Sequence, residues 1–140
     1  MTRIAELGRL QQAVEARYNL RQADFRKLVE EENRLRSELR RLDAQVSEAE
    51  RQGDPQMRAI GADLLWKGWV GRTKQDLNTR LARVLSRKEA RIAEVRTEYG
   101  RVLAVGGLLA EARAAQRNEA DRRRLDLAIE LALMSSLTDQ

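Results

Sequence analysis

The chain has 140 residues with no cysteine and no histidine, which removes disulfides, the usual zinc ligands, Ser-His and Cys-His nucleophile pairs and the commonest general base. Aromatics make up 4% and charged residues 35%, so a thick globular core is excluded and an extended helical protein is favoured. The net charge of +5 is carried mostly by arginine, and one proline interrupts a composition rich in Ala, Leu, Glu, Arg and Gln, all good helix formers.

The first element is predicted as a helix over about 3–51, with Thr2 as its N-cap. Its positions Ile4, Leu7, Gln11, Val14, Tyr18, Arg21, Phe25, Leu28, Glu32, Leu35, Leu39, Leu42, Val46 and Ala49 alternate steps of three and four without a slip. Eleven of the fourteen are apolar, and more than half of the residues between them are Arg, Glu, Gln or Asp. That is a heptad seam, which a helix buries only along a partner helix. At about 1.5 Å per residue the helix would be roughly 70–75 Å long.

A turn or tip is predicted over about 52–72. Gln52-Gly53-Asp54-Pro55 carries the strongest break: Gly53 suits a helix end, Asp54 an N-cap and Pro55 a first helical residue. Met57, Ile60 and Leu64 then keep helical spacing, followed by Leu65-Trp66-Lys67-Gly68-Trp69-Val70-Gly71-Arg72. Gly68 and Gly71 offer a second place for the reversal, at 68–72.

A second helix is predicted over about 73–105, capped by Thr73-x-x-Asp76. Its seam reads Leu77, Leu81, Leu85, Lys88, Ile92, Val95, Tyr99, Val102 and Leu109, with two successive steps of four at its start that would locally unwind a supercoil. A turn at 53 would set Arg21 opposite about residue 86 and Glu32 opposite about residue 75. Polar seam residues of this kind fix register at a cost in stability. Gly106-Gly107 is expected to interrupt the helix, and Asn118-Glu119-Ala120-Asp121 to cap a short third one over about 118–137. That last segment is apolar over more than one face, too wide for a two-stranded seam. The fold expected is therefore all-α: a long antiparallel two-helix coiled-coil hairpin, with the short C-terminal helix either folded back onto it or presented to a partner.

No stretch approaches the about 20 apolar residues of a membrane span, and the opening Met1-Thr2-Arg3-Ile4-Ala5-Glu6 does not read as a secretory leader, so a cytoplasmic location without membrane insertion is expected. No Gly-rich phosphate cradle and no Asp-x-Asp loop is present, and neither an enzyme nor a cofactor, metal or small-molecule substrate is expected. Basic charge concentrates in 81–117, with eight basic and four acidic residues. Arg83, Arg87 and Arg91 share a face there, but Glu89, Glu94 and Glu98 interleave the stripe, and no DNA-reading motif or aromatic platform accompanies it. Direct nucleic-acid binding is disfavoured accordingly. The partner-binding residues singled out are Trp66, Lys67, Trp69, Arg72 and Leu77 near the tip, and Leu125, Ile129, Leu133 and Leu137 in the tail. For the tryptophans, plugging the end of the hairpin is the structural alternative to anchoring a partner.

A two-helix chain of this length, with a turn at Gly53, Trp66 and Trp69 just after it and Leu77-x-x-x-Leu81 beyond, resembles the FliJ/YscO family of flagellar and type III secretion export proteins. The resemblance covers most of the chain and lies in architecture more than in motif. It implies a cytoplasmic, non-enzymatic component peripheral to the inner-membrane export apparatus. The end bearing both termini would enter a hexameric export ATPase, and the hairpin would contact the membrane export gate and recycle export chaperones. It extends more weakly to rotary-ATPase central stalks. Nucleic-acid-binding and self-assembling structural coiled coils are the other classes open to a sequence of this pattern.

Overall fold

The computed structural model describes residues 2–53, 55–56 and 61–139. Among the described residues there are two long helices: α1, Arg3–Arg51, and α2, Ala62–Thr138. No strand occurs among the described residues. Thr2 caps α1 as expected, its hydroxyl accepting from the Ala5 N–H at 3.4 Å. Gly61 opens α2 with φ of +84°, a left-handed conformation suited to glycine, and its carbonyl accepts the Leu65 N–H at 3.2 Å. Pro55 and Gln56 are helical, whereas the N-cap expected at Asp54 and the spacing expected from Met57 and Ile60 lie outside the described residues.

The boundaries within α2 differ from expectation. The helix runs unbroken through 68–72, through the cap expected at Thr73-x-x-Asp76, through Gly106-Gly107 and through Asn118. The reversal at 68–72 is thereby excluded, the tip narrows to the residues between Arg51 and Ala62, and the tail is not a separate third helix. Two glycines inside a helix cost about 1 kcal/mol each relative to alanine. Burial of Val105 and Leu109 beside them, to 7% and 1% exposure, outweighs that cost.

The chain divides into two compact units: Asn19–Arg96, and Met1–Tyr18 with Thr97–Gln140. In the unit Asn19–Arg96 the core is Leu35, Leu42, Leu77, Leu81 and Val84, with Leu28, Leu39, Val70 and Leu85 packed against it. Three ion pairs join its helices: Asp43 with Lys74, Glu32 with Lys88 and Arg21 with Glu94. The numbers fall on α1 as they rise on α2, which is the order of an antiparallel pair. The register is displaced from expectation, Glu32 meeting Lys88 rather than about residue 75 and Arg21 meeting Glu94 rather than about 86. The link between the helices extends to Gly61, and the centre of the reversal moves with it.

In the other unit, Leu7 and Val14 of α1 and Val105 and Leu109 of α2 are the buried apolar residues. Tyr18 packs against Tyr99 with ring centroids 5.5 Å apart, and Arg17 reaches Glu98 at 3.4 Å.

The seam of α1 is buried or half-buried from Ile4 to Val46, and only Ala49 is exposed. The seam of α2 is more regular than expected. Leu77, Leu81, Val84, Lys88, Arg91, Val95, Glu98, Val102, Val105 and Leu109 alternate fours and threes, and all are buried or half-buried. Val84 takes the central position that Leu85 was expected to hold. Glu98 is buried where Tyr99 was expected, and Tyr99 lies beside the seam at 48% exposure.

Candidate functional site

Two charged layers cross the seam. Glu32 accepts from Lys88 Nζ at 2.7 Å and from Arg36 Nε at 2.8 Å. These hydrogen bonds, Lys88 first, hold its carboxyl below the ordinary carboxylate range against the opposing effect of desolvation. Glu98 is more deeply placed: its Oε1 receives Arg101 at 2.9 Å and Arg17 at 3.4 Å, while its Oε2 is buried with no hydrogen-bond partner. Both layers are polar interruptions of an apolar seam and act on register. Neither belongs to a metal site, since no group of three carboxylate, histidine or cysteine side chains able to hold a metal occurs among the described residues.

The surface offers two apolar features. The larger is the last part of α2, where every residue from 121 to 139 is exposed. Leu125, Leu127, Ile129, Leu131, Leu133, Met134 and Leu137 stand between 50% and 74% exposed. The segment is helical because its residues are strong helix formers and because it carries its own supports. Arg123 pairs with Glu119 at 2.7 Å and Arg124 with Asp121 at 3.8 Å, while the Thr138 hydroxyl donates to the Ser135 carbonyl at 2.9 Å in the last turn. Over 116–130 it does not prolong the α1-facing seam. Continued past Leu109 at the same spacing, that seam reads Ala112, Gln116, Glu119, Arg123, Asp126 and Glu130, polar from Gln116 onward, before Leu133 and Leu137 return to it. Leu125, Ile129, Leu133 and Leu137 form one row, which drifts onto that stripe at its last two members, and Leu127, Leu131 and Met134 form another row on a different face.

The smaller feature lies at the start of α2. Trp66 and Trp69, three residues apart, stack with ring centroids 5.3 Å apart and planes inclined by 22°. Trp66 is half-buried and Trp69 is 45% exposed, beside the exposed Leu64 and Leu65. The nearby cations are engaged: Lys67 with Asp63 on the same helix at 3.2 Å and Lys74 with Asp43 of α1 at 3.1 Å. The Arg72 guanidinium lies over Gly68, 3.4 Å from where a Cβ would stand.

Of the residues singled out from sequence, Leu125, Ile129, Leu133 and Leu137 thus share one exposed row, and Trp66, Lys67, Trp69 and Arg72 cluster in the first turns of α2. Leu77 is corrected: at 7% exposure it belongs to the core and has no free surface for a partner. The row formed by Leu127, Leu131 and Met134 was not singled out, although its four-then-three spacing carried the signal. In the basic stripe Arg83 and Arg87 are exposed, whereas Arg91 and Arg101 are tied to Glu94 and Glu98. No helix among the described residues is long and apolar enough to cross a membrane. Compared with protein-family models, curated proteins and solved structures, the chain matches none.

Proposed function

We propose that this chain is a non-enzymatic coiled-coil stalk or adaptor of a flagellar or type III protein export apparatus, working in the cytoplasm. The observation that carries the reading is the exposed apolar end of α2. Seven large apolar side chains on a stretch of helix whose residues are all exposed form a surface that water disfavours and that a protein sleeve would cover. Each fully buried Leu or Ile side chain contributes roughly 1.5–3 kcal/mol, so engaging only part of this surface suffices for firm binding. The occupant in this reading is the opening of a hexameric export ATPase. Trp66 and Trp69, with Lys67 and Arg72 beside them, would meet the membrane export gate, since a partly exposed tryptophan pair is the composition of an interface hot spot. Export chaperones would be further partners.

The test is binding to, and stimulation of, a purified export ATPase. Truncation after Arg117 removes the exposed extension and leaves Leu109 and the paired helices in place, so it should abolish both effects. The double substitution W66A/W69A should spare them and weaken capture by the export gate. Full stimulation by the truncated chain would overturn the reading. A rotary-ATPase central stalk would use the same extension, and stimulation of that class of hexamer instead would select it.

A further inference from the structure

We propose that one face of the α2 extension is a self-recognition surface whose occupant is a second copy of this chain, bound antiparallel. Arg122, Leu125, Ile129, Ala132, Ser136 and Asp139 alternate steps of three and four, the spacing of a two-stranded seam, and all six are exposed. They are rotated away from the stripe that faces α1, so this seam is additional to the intramolecular one.

The six residues also set the direction of the partner. Two copies laid parallel would bring Arg122 against Arg122 and Asp139 against Asp139, and would face Ala132 and Ser136 with residues as small as themselves, leaving gaps. Laid antiparallel about a two-fold axis, Arg122 meets Asp139, Leu125 meets Ser136 and Ile129 meets Ala132. Opposite charges then close both ends, and a large side chain faces a small one in every inner layer. The contact is isologous and therefore ends at two copies. Arg122 is available for this role: among the described residues it makes no ion pair, whereas Arg123 and Arg124 hold Glu119 and Asp121. Leu127, Leu131 and Met134 lie on the opposite face and remain exposed in the dimer. Self-pairing is thus independent of the export reading and can stand or fall without it.

The experiment is sedimentation equilibrium of the full purified chain, with no ATPase present, over a wide range of protein concentration. A reversible monomer–dimer equilibrium is expected. L125D/I129D should abolish it, and L127A/L131A should leave it intact. Circular dichroism should show both variants folded, because the substituted positions lie outside the core. R122D and D139R should each weaken dimerisation by about tenfold, since each turns two attractive end contacts into repulsive ones. Mixing the two single variants should restore association, because both end pairs re-form in the mixed dimer. A parallel pair would not be weakened by either single substitution. A chain that stays monomeric up to its solubility limit would overturn the proposal. So would a dimer indifferent to L125D/I129D, or one that R122D and D139R leave as tight as before.

Discussion

Residues 77–109 and 121–138 of α2 belong to one continuous helix and draw on the same apolar residue types, yet Leu77, Leu81 and Leu109 are buried while Leu127, Leu131 and Leu137 are exposed. Apolar content alone does not separate the two stretches. In the first, apolar side chains recur at three-four spacing on the stripe that faces α1. In the second, that stripe is polar at Asp126 and Glu130, and Leu125, Leu127 and Leu131 lie on other faces, with only Leu133 and Leu137 returning to it. For Leu127 and Leu131, placement on the helix decides that they remain a surface and do not join the core.

This contrast can be broken most directly by shortening side chains. Leu109→Ala and Leu42→Ala, at 1% and 4% exposure, should each destabilise the fold by about 2–5 kcal/mol, whereas Leu131→Ala should change stability by no more than about 0.5 kcal/mol. Chemical denaturation of the three variants checks this, and equal losses would erase the distinction. The charged layers sharpen it. Glu98→Leu removes a buried carboxylate oxygen that has no partner and releases Arg17 and Arg101, both more than half exposed, to water. It should raise stability by about 1 kcal/mol or more, read as a higher melting temperature.

Glu32 stabilises the fold in its charged form. Its carboxyl is held below its ordinary value by Lys88 and Arg36, so the stabilisation it provides is complete above the unfolded value of about 4.3 and is lost as pH falls through the lower folded value. The wild-type chain should therefore melt higher than the E32Q variant at neutral pH, and the difference should close on acidification below the unfolded value. A difference that stays constant across this window would contradict the role assigned to the pair. A small effect of the opposite sign is expected at Gly107, which is exposed within α2 and where a Cβ would meet nothing within 4 Å. Gly107→Ala should stabilise by roughly 0.5–1 kcal/mol, measurable by the same denaturation assay.

The α1 seam was legible from Ile4 to Val46, Ala49 alone being exposed, because its spacing never slips and its polar members, Gln11, Arg21 and Glu32, are few. The α2 seam was harder to read because its strongest hydrophobes are not its buried ones. Leu85 is larger than Val84 and Tyr99 is more apolar than Glu98, yet spacing places Val84 and Glu98 inward, and Arg17 and Arg101 make the buried acid tolerable. Breaks were expected at Gly106-Gly107 and Asn118 because local propensity favours them. Burial of Val105 and Leu109 overrides the first, and the ion pairs of Arg123 and Arg124 carry the helix past the second. The tail residues Leu125, Ile129, Leu133 and Leu137 were recognisable as a surface from their excess over one face. The Glu32–Lys88 pairing depends on a register set by a link whose length the residue pattern does not specify.

Because the chain contains no cysteine, a single introduced thiol reports its own position without ambiguity. Thiol-labelling rates of V84C, L109C, L127C and L131C in the native protein test the division of α2 most directly. The expected result is strong protection at 84 and 109, with labelling at 127 and 131 as fast as in the unfolded chain. Protection at 127 and 131 equal to that at 84 and 109 would mean that the end of α2 is already covered within the molecule, and would contradict the reading of that end as an open surface.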